Sequence, residues 1–382
     1  MRRVIAAAFP AGGCPRGRRC AAALLGSMAI MTSAQDNVPA SLFPLWDRSL
    51  GGRSGFGYKD NVLLSHSHPE RSTFFSTGLE ASVFRLAEDG TLLNFFFTAD
   101  NNHYFSVSKV DDEWLVLGQV QLKKPFATDW EATFALDYFF QNQVLDVSAT
   151  ETNLSAIEVE GHNIQFTPAL RRNFGEAGWL EISVPVARRI FREPLDSFWE
   201  AGPKLAFGHP YGRKSEWIVS YSFIDRPYDS RTETTSTGAA IPGTDLEFQQ
   251  HKFEAASWHY WDEARRWRTV TKLSYRLNED SGSGYFDYGK FQLSEQIRFR
   301  AKPWELLAEV RFGHYFYDTQ TVSATDLSRR ELSELIWHLR AEYQFHKWMK
   351  AYADFEHERN FSNQRLGRYA VNTVSAGVIL EF

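Results

Sequence analysis

From about residue 50 to the end of the chain, apolar side chains recur at every second position. That period belongs to strands, because successive side chains of an extended backbone point to opposite faces. The clearest run sets Leu335, Trp337, Leu339, Ala341, Tyr343 and Phe345 against Glu334, His338, Arg340, Glu342 and Gln344. Leu306, Ala308, Val310 and Phe312 alternate in the same way with Glu305, Glu309 and Arg311. Phe291, Leu293, Ile297 and Phe299 alternate with Lys290, Gln292, Arg298 and Arg300, with Glu295 an exception on the apolar side. About sixteen such segments follow one another between Gly52 and Phe382, at roughly twenty residues per strand and connection, and no helix-period segment is of comparable strength. The fold class is all-β, and an antiparallel barrel of about sixteen strands is expected over residues 51–382.

The connections alternate in length. Short ones fall near Glu88-Asp89-Gly90, Lys124-Pro125, Gly175-Glu176, Pro210-Tyr211-Gly212, Glu263-Ala264, Lys302-Pro303 and His346-Lys347. Longer polar ones lie between, notably Asp225 to Asp245 and Asp318 to Arg330. Short turns at one end and long loops at the other describe a transmembrane barrel of the outer-membrane kind. Each short turn but the first is followed at once, or nearly so, by a tryptophan: Trp130, Trp179, Trp217, Trp267, Trp304 and Trp348. An indole ring is favoured at a water–lipid boundary, so these six are expected to form the periplasmic aromatic girdle. Tryptophans opening the strands of a soluble sandwich would pack in its core, but a core does not demand one ring per hairpin. The longest near-continuous apolar stretch after residue 34, around Leu92 to Ala99, is far shorter than the roughly 18 residues of a transmembrane helix.

The first 34 residues have a different grammar. Arg2, Arg3, Arg16, Arg18 and Arg19 precede an apolar run from Cys20 to Met31, and Thr32-Ser33-Ala34 offers a small-residue cleavage site. This is the pattern of a secretory signal peptide, and residues 35–50 then form a short periplasmic segment before the barrel. Both cysteines, Cys14 and Cys20, fall in the segment to be removed, so a mature chain would have neither a disulfide nor a thiolate metal site. Removal of five arginines takes the charge from 42 − 47 to 37 − 47, a net of −10. A surface so acidic does not suit nucleic acid.

At the other end Val374, Ala376, Val378, Leu380 and Phe382 alternate with Thr373, Ser375, Gly377 and Glu381. This run resembles the closing strand of Gram-negative outer-membrane barrels. The resemblance implies export to the periplasm, insertion into outer-membrane lipid by the barrel-assembly machinery, and closure of the barrel by this strand. The segment Gly55-Phe56-Gly57-Tyr58-Lys59-Asp60-Asn61-Val62 is similar to the first strand of the β-barrel porin families, some of whose relatives are associated with exopolysaccharide export and others with surface lipoproteins. Only about fifteen residues separate Ala34 from Leu50, too few for a helical-repeat periplasmic domain of the lipoprotein-transporting kind.

Residues that do not face lipid face the lumen, and there the signs segregate. One inward strip is basic: Arg268, Lys272, Arg276, Lys290, Arg298 and Arg300. The next strands carry an acidic strip of Glu305, Glu309, Glu334, Glu342, Asp354 and Glu356, interrupted by Arg311, Arg340 and Lys350. Neighbouring strips of opposite sign can pair as cross-strand ladders, or set a field across a water-filled pore. Sixteen strands enclose more space than side chains alone fill, so an aqueous lumen follows unless a loop folds inward. The loop Asp225 to Asp245 is the expected constricting or surface-exposed segment. Ser65-His66-Ser67-His68 reads as a polar loop tip, since two histidines with no third ligand make a weak metal site. Gly282-Ser283-Gly284 reads as a turn, because no helix follows it to make a phosphate cradle. No catalytic, cofactor or metal site is expected. The functional expectation is passive passage of small polar solutes, and the other reading is a non-enzymatic barrel serving export of exopolysaccharide or another envelope component. Homo-oligomerisation would flatten and desolvate one outer face, a property the strand pattern does not encode.

Overall fold

The structure, a computed structural model, describes residues 45–107, 109–146, 156–212, 214–323 and 325–382. The expected signal peptide, both cysteines and most of the short segment after them lie outside the described residues. Strand β1 already starts at Leu45, so Leu45 to Leu50 belong to the sheet and not to a periplasmic segment.

Alternation along the chain is realised as sixteen strands. The first six are β1 (Leu45–Lys59), β2 (Ser72–Leu86), β3 (Leu92–Tyr104), β4 (Asp112–Ala127), β5 (Trp130–Asp146) and β6 (Ala156–Asn173). Two strands are interrupted: β7 runs as Trp179–Ser183 and Val186–Phe191, and β8 as Phe198–Ala201 and Lys204–Tyr211. Pro185 and Pro203 stand in the gaps, where a residue without an N–H cannot continue the ladder. The remainder are β9 (Ser215–Pro227), β10 (Glu247–Tyr260), β11 (Trp267–Asp280), β12 (Tyr288–Ala301), β13 (Trp304–Thr321), β14 (Arg329–His346), β15 (Met349–Ser362) and β16 (Tyr369–Glu381).

Every strand pairs antiparallel with its neighbours in the chain, and β16 returns to β1 in a register running from Gly51 opposite Glu381 to Lys59 opposite Thr373. The barrel is therefore closed, which removes the exposed sheet edges that would otherwise template aggregation. Two glycines make the seam possible. A Cβ on Gly377 would lie 2.1 Å from the Ser54 carbonyl oxygen, and one on Gly55 would lie 2.3 Å from the Tyr352 hydroxyl. Most strands run 13 to 18 residues, against the roughly 9–11 that cross a bilayer, so the wall projects beyond the membrane.

The outer wall is apolar. Leu306 and Phe312 on β13, Trp337 and Leu339 on β14, and Val374 and Val378 on β16 all point outward and are exposed. Water would not tolerate so continuous a surface, while lipid requires it. The exception at Glu295 has a local partner, since Thr271 Oγ1 on the adjacent strand donates to its Oε2 at 2.5 Å on the same outer face.

Turn positions largely follow the sequence, with three corrections. Lys124-Pro125 is not a turn. It lies within β4, and Pro125 stands at a register shift beside Ala127 where its missing N–H is tolerated; the chain reverses at Thr128-Asp129 instead. The two long loops are also shorter than expected, because β9 continues to Pro227, β13 to Thr321, and β14 begins at Arg329.

Candidate functional site

Strand register turns one residue in two toward the lumen. The inner face of β1 carries Ser49, Gly51, Arg53, Gly55, Gly57 and Lys59, so three glycines leave that wall low. Opposite it the inner faces of β12 to β15 bring long charged side chains. Between them lies a cavity of about 600 Å³ lined by residues of β1 to β5 and β12 to β16.

The charges on this lining meet in pairs and small clusters. Arg53 donates to Asp100 at 2.5 Å, and Lys59 reaches Glu113 at 3.0 Å while the Tyr104 hydroxyl donates to the same carboxylate at 2.6 Å. Arg298 Nε and Arg300 Nε converge on the two oxygens of Glu305 at 2.8 and 3.1 Å. Arg340 Nε donates to Glu342 at 2.8 Å and stands 3.8 Å from Asp354, which His338 meets at 2.8 Å. Lys350 bonds Glu381 and lies 3.6 Å from Glu342. Among the described residues one carboxylate on the lining, Glu80, has no such partner.

All twelve residues of the two expected strips stand in the inward register. The basic and acidic strips nevertheless do not form two separate walls of one pore. Arg298, Arg300, Glu305, Glu342 and Asp354 line the cavity. Arg268 is buried, Lys272 acts electrostatically on Glu254, and Arg276 stands in register between Lys252 and Lys290. Lys290 is buried against Tyr315 and lies 3.3 Å from Glu334. Glu309 takes Arg311 at 2.5 Å and Gln296 at 3.2 Å, and Glu356 is buried. Opposite charges thus meet within a strand, as Arg311 and Glu309 do, or across strands, as Arg298 and Glu305 do, and the cross-strand contacts stiffen the wall.

Four of the six girdle tryptophans, Trp130, Trp217, Trp267 and Trp304, stand in the outward register at the short-turn end, and Trp348 lies in the turn before β15; Trp217, Trp267, Trp304 and Trp348 are exposed and Trp130 is half-buried. Trp179 does not face outward. It shares its register with Glu181 and Ser183, is buried over Gly208, donates its indole N–H to Glu216 at 2.6 Å, and takes the Arg171 guanidinium 3.9 Å above its ring. The pattern held this signal, because Leu180 and Ile182 are the apolar alternates of that strand and Trp179 falls with the polar set. In the closing strand Val374, Ala376, Val378, Leu380 and Phe382 share the outward face, and Phe382 stacks on Trp348 at 6.4 Å.

The segment that turns into the barrel is the first loop, residues 60–71, and not the loop expected for that role. Val62 and Leu63 have no exposure at all and pack with Phe74, Tyr104, Val110 and Val144. The Asn61 amide group holds the loop by donating to Ser65 O at 2.8 Å and Ala370 O at 3.1 Å. Ser65-His66-Ser67-His68 is thus part of an inward fold; Ser65 is buried, and its Oγ accepts the His68 backbone N–H at 2.7 Å. Residues 228–246 instead cap the other side of the mouth, with Tyr228 and Leu246 packed on Phe198, Phe248 and Phe286. The turn at Gly282-Ser283-Gly284 is organised by Asp280, whose carboxylate accepts the N–H groups of Gly282, Gly284 and Phe286. Among the described residues no group of three His, Cys, Asp or Glu is placed to hold a metal ion.

Missing from the sequence reading were Arg53, Lys59, Glu80, Asp100 and Glu113, the charged lining contributed by β1 to β4. Ser72, Ser76, Gly78 and Glu80 alternate with apolar or threonine positions, so that wall too was legible.

No protein-family model matches the chain, and no curated protein matches it. Among solved structures it is similar to OccAB1 of Acinetobacter baumannii, with a TM-score of 0.48 at 9% identity over 88% of this chain and 97% of that one. OccK9 (OpdG) of Pseudomonas aeruginosa gives 0.46 at 11% identity over 88% and 98%, and the outer membrane protein OprD of Pseudomonas aeruginosa gives 0.45 at 9% over 88% and 94%.

Proposed function

We propose that this chain is an outer-membrane channel through which small polar solutes diffuse passively. The observation that carries the reading is the polar cavity of about 600 Å³ inside a closed barrel whose outside is apolar. A wall of this construction keeps its oil outward and its charges inward, and an interior lined with ion pairs and amides holds water where a packed core would not. The short-turn end, with its outward tryptophans, then faces the periplasm and the long loops face the outside. Loop 60–71, packed on β2, β3 and β5, narrows the mouth on that side.

Planar-bilayer recording of the refolded protein, with folding scored by heat-modifiable gel mobility, tests the proposal. Steady open steps in potassium chloride are expected. A folded barrel that gives no steps under any applied voltage refutes it. Within a conducting barrel, Arg298→Glu combined with Arg300→Glu breaks the pairs to Glu305 and should move the reversal potential toward cation preference. An unchanged potential would remove these residues from the conduction path.

A further inference from the structure

We infer that Glu80 is the selectivity-determining residue of the cavity and that it favours solutes carrying an ammonium or amidinium group; the inference rests on the channel reading above. Every other acidic or basic side chain on the lining has an ion-pair contact: Arg53 with Asp100, Lys59 with Glu113, the two arginines of β12 together on the one carboxylate of Glu305, and Arg340 and Lys350 among Glu342, Asp354 and Glu381. A charge already matched at hydrogen-bond distance presents little net field to a passing solute, whereas an unmatched one presents nearly all of it. Among the described residues Glu80 has neither a hydrogen-bond nor an ion-pair partner, and its side chain is exposed toward the cavity.

Its position makes this charge available. In register it faces Gly51 of β1 on one side and Thr98 of β3 on the other. A Cβ on Gly51 would still lie 3.9 Å from the Glu80 Cβ, so the neighbouring wall is low and a solute can approach the carboxylate. Arg53, the nearest cation along β1, is committed to Asp100 at 2.5 Å. The charged groups acting on Glu80 are Asp100, Glu381, Arg340 and Arg53, and each of these is itself paired. Apart from Glu80 the lining carries six cations and six carboxylates, Arg298 and Arg300 sharing Glu305 while Arg340 and Lys350 face Glu342, Asp354 and Glu381, so the net negative charge of the lining is that of Glu80.

The test is bilayer recording of the refolded signal-free chain and its Glu80→Gln and Glu80→Asp variants in a potassium chloride gradient. The parent should prefer potassium over chloride. Glu80→Gln, which keeps size and removes charge, should lower that preference roughly two- to fivefold, the scale of one unit charge met at close range in water. Glu80→Asp should retain it. In the parent alone, cadaverine should reduce the potassium current while glutarate, of equal carbon number and opposite charge, should not. A conducting Glu80→Gln barrel with unaltered selectivity, or equal effects of the two probes on the parent, overturns the inference and leaves the channel reading intact. A folded parent that does not conduct fails at the earlier step.

Discussion

A lysine with 1% of its side chain exposed is tolerable only while its counter-charge is in place. Lys59 meets that condition through Glu113, which also accepts from the Tyr104 hydroxyl. Lys59→Met leaves Glu113 buried beside a phenol, and the midpoint of urea unfolding should fall by the equivalent of about 3 kcal/mol. Arg300, more than half exposed in its own pair with Glu305, should cost less than about 1 kcal/mol when changed to Gln. Equal losses from the two variants would mean that burial does not set the strength of these pairs. At the short turn before β11, Asp262 accepts from the Arg266 side chain at 2.7 Å and from the Trp267 backbone N–H at 3.0 Å. These bonds hold its carboxyl below the ordinary value of 3.8, the Arg266 bond contributing most. A carboxyl depressed in the folded state stabilises it at pH above the unfolded value, and that contribution disappears as pH falls through the folded one. Asp262→Asn should therefore lower the unfolding midpoint at pH 7 and make little difference at pH 2; a gap of the same size at both would show that the carboxylate charge is not what the turn uses.

At the scale of elements, the period of two was sufficient to read sixteen strands, because a wall with lipid on one side and water on the other enforces alternation at every pair of residues. Parity also placed the twelve charges of the two strips inward. What it did not reveal was their pairing, since Arg298 and Glu305 sit on different strands and meet only when the register across the β12–β13 hairpin is fixed. Loop direction was harder still. Val62-Leu63-Leu64 is an apolar triplet inside a polar loop, a hint visible in the sequence, but the pocket receiving it is built from β2, β3 and β5 and the loop after β3. Only closure of the sheet brings those parts together. Because the loop is held by burial of Val62 and Leu63, Leu63→Asp should expel it by placing an unpaired charge in an apolar pocket. Single-channel conductance and the size limit for sugars in liposome swelling should both rise. If neither changes in a folded variant, loop 60–71 lies outside the conducting path.

For the molecule as a whole, closure is where local rules end, since β1 and β16 pair across nearly the whole chain. The pairing spans nine residues on each strand, and at its end Leu50 N–H donates to Phe382 O at 3.1 Å while Phe382 N–H donates to Leu50 O at 2.8 Å. The Phe382 side chain itself does little for that seam. It is 73% exposed, and among the described residues its ring contact is with Trp348. If the likeness of this strand to the closing strands of outer-membrane barrels extends to its use, a ring so weakly held by the finished barrel serves assembly more than stability. Deleting Phe382 should consequently reduce severalfold the amount of heat-modifiable barrel that cells accumulate, while the same variant refolded from urea into detergent should form with near-parental yield and conductance. The two bonds lost with Leu50 are worth only about 1 kcal/mol each, a small part of a seam that retains its nine paired positions. A parallel loss of refolding yield would instead assign the ring to closure of the barrel, and equal accumulation in cells would deny it any part in assembly.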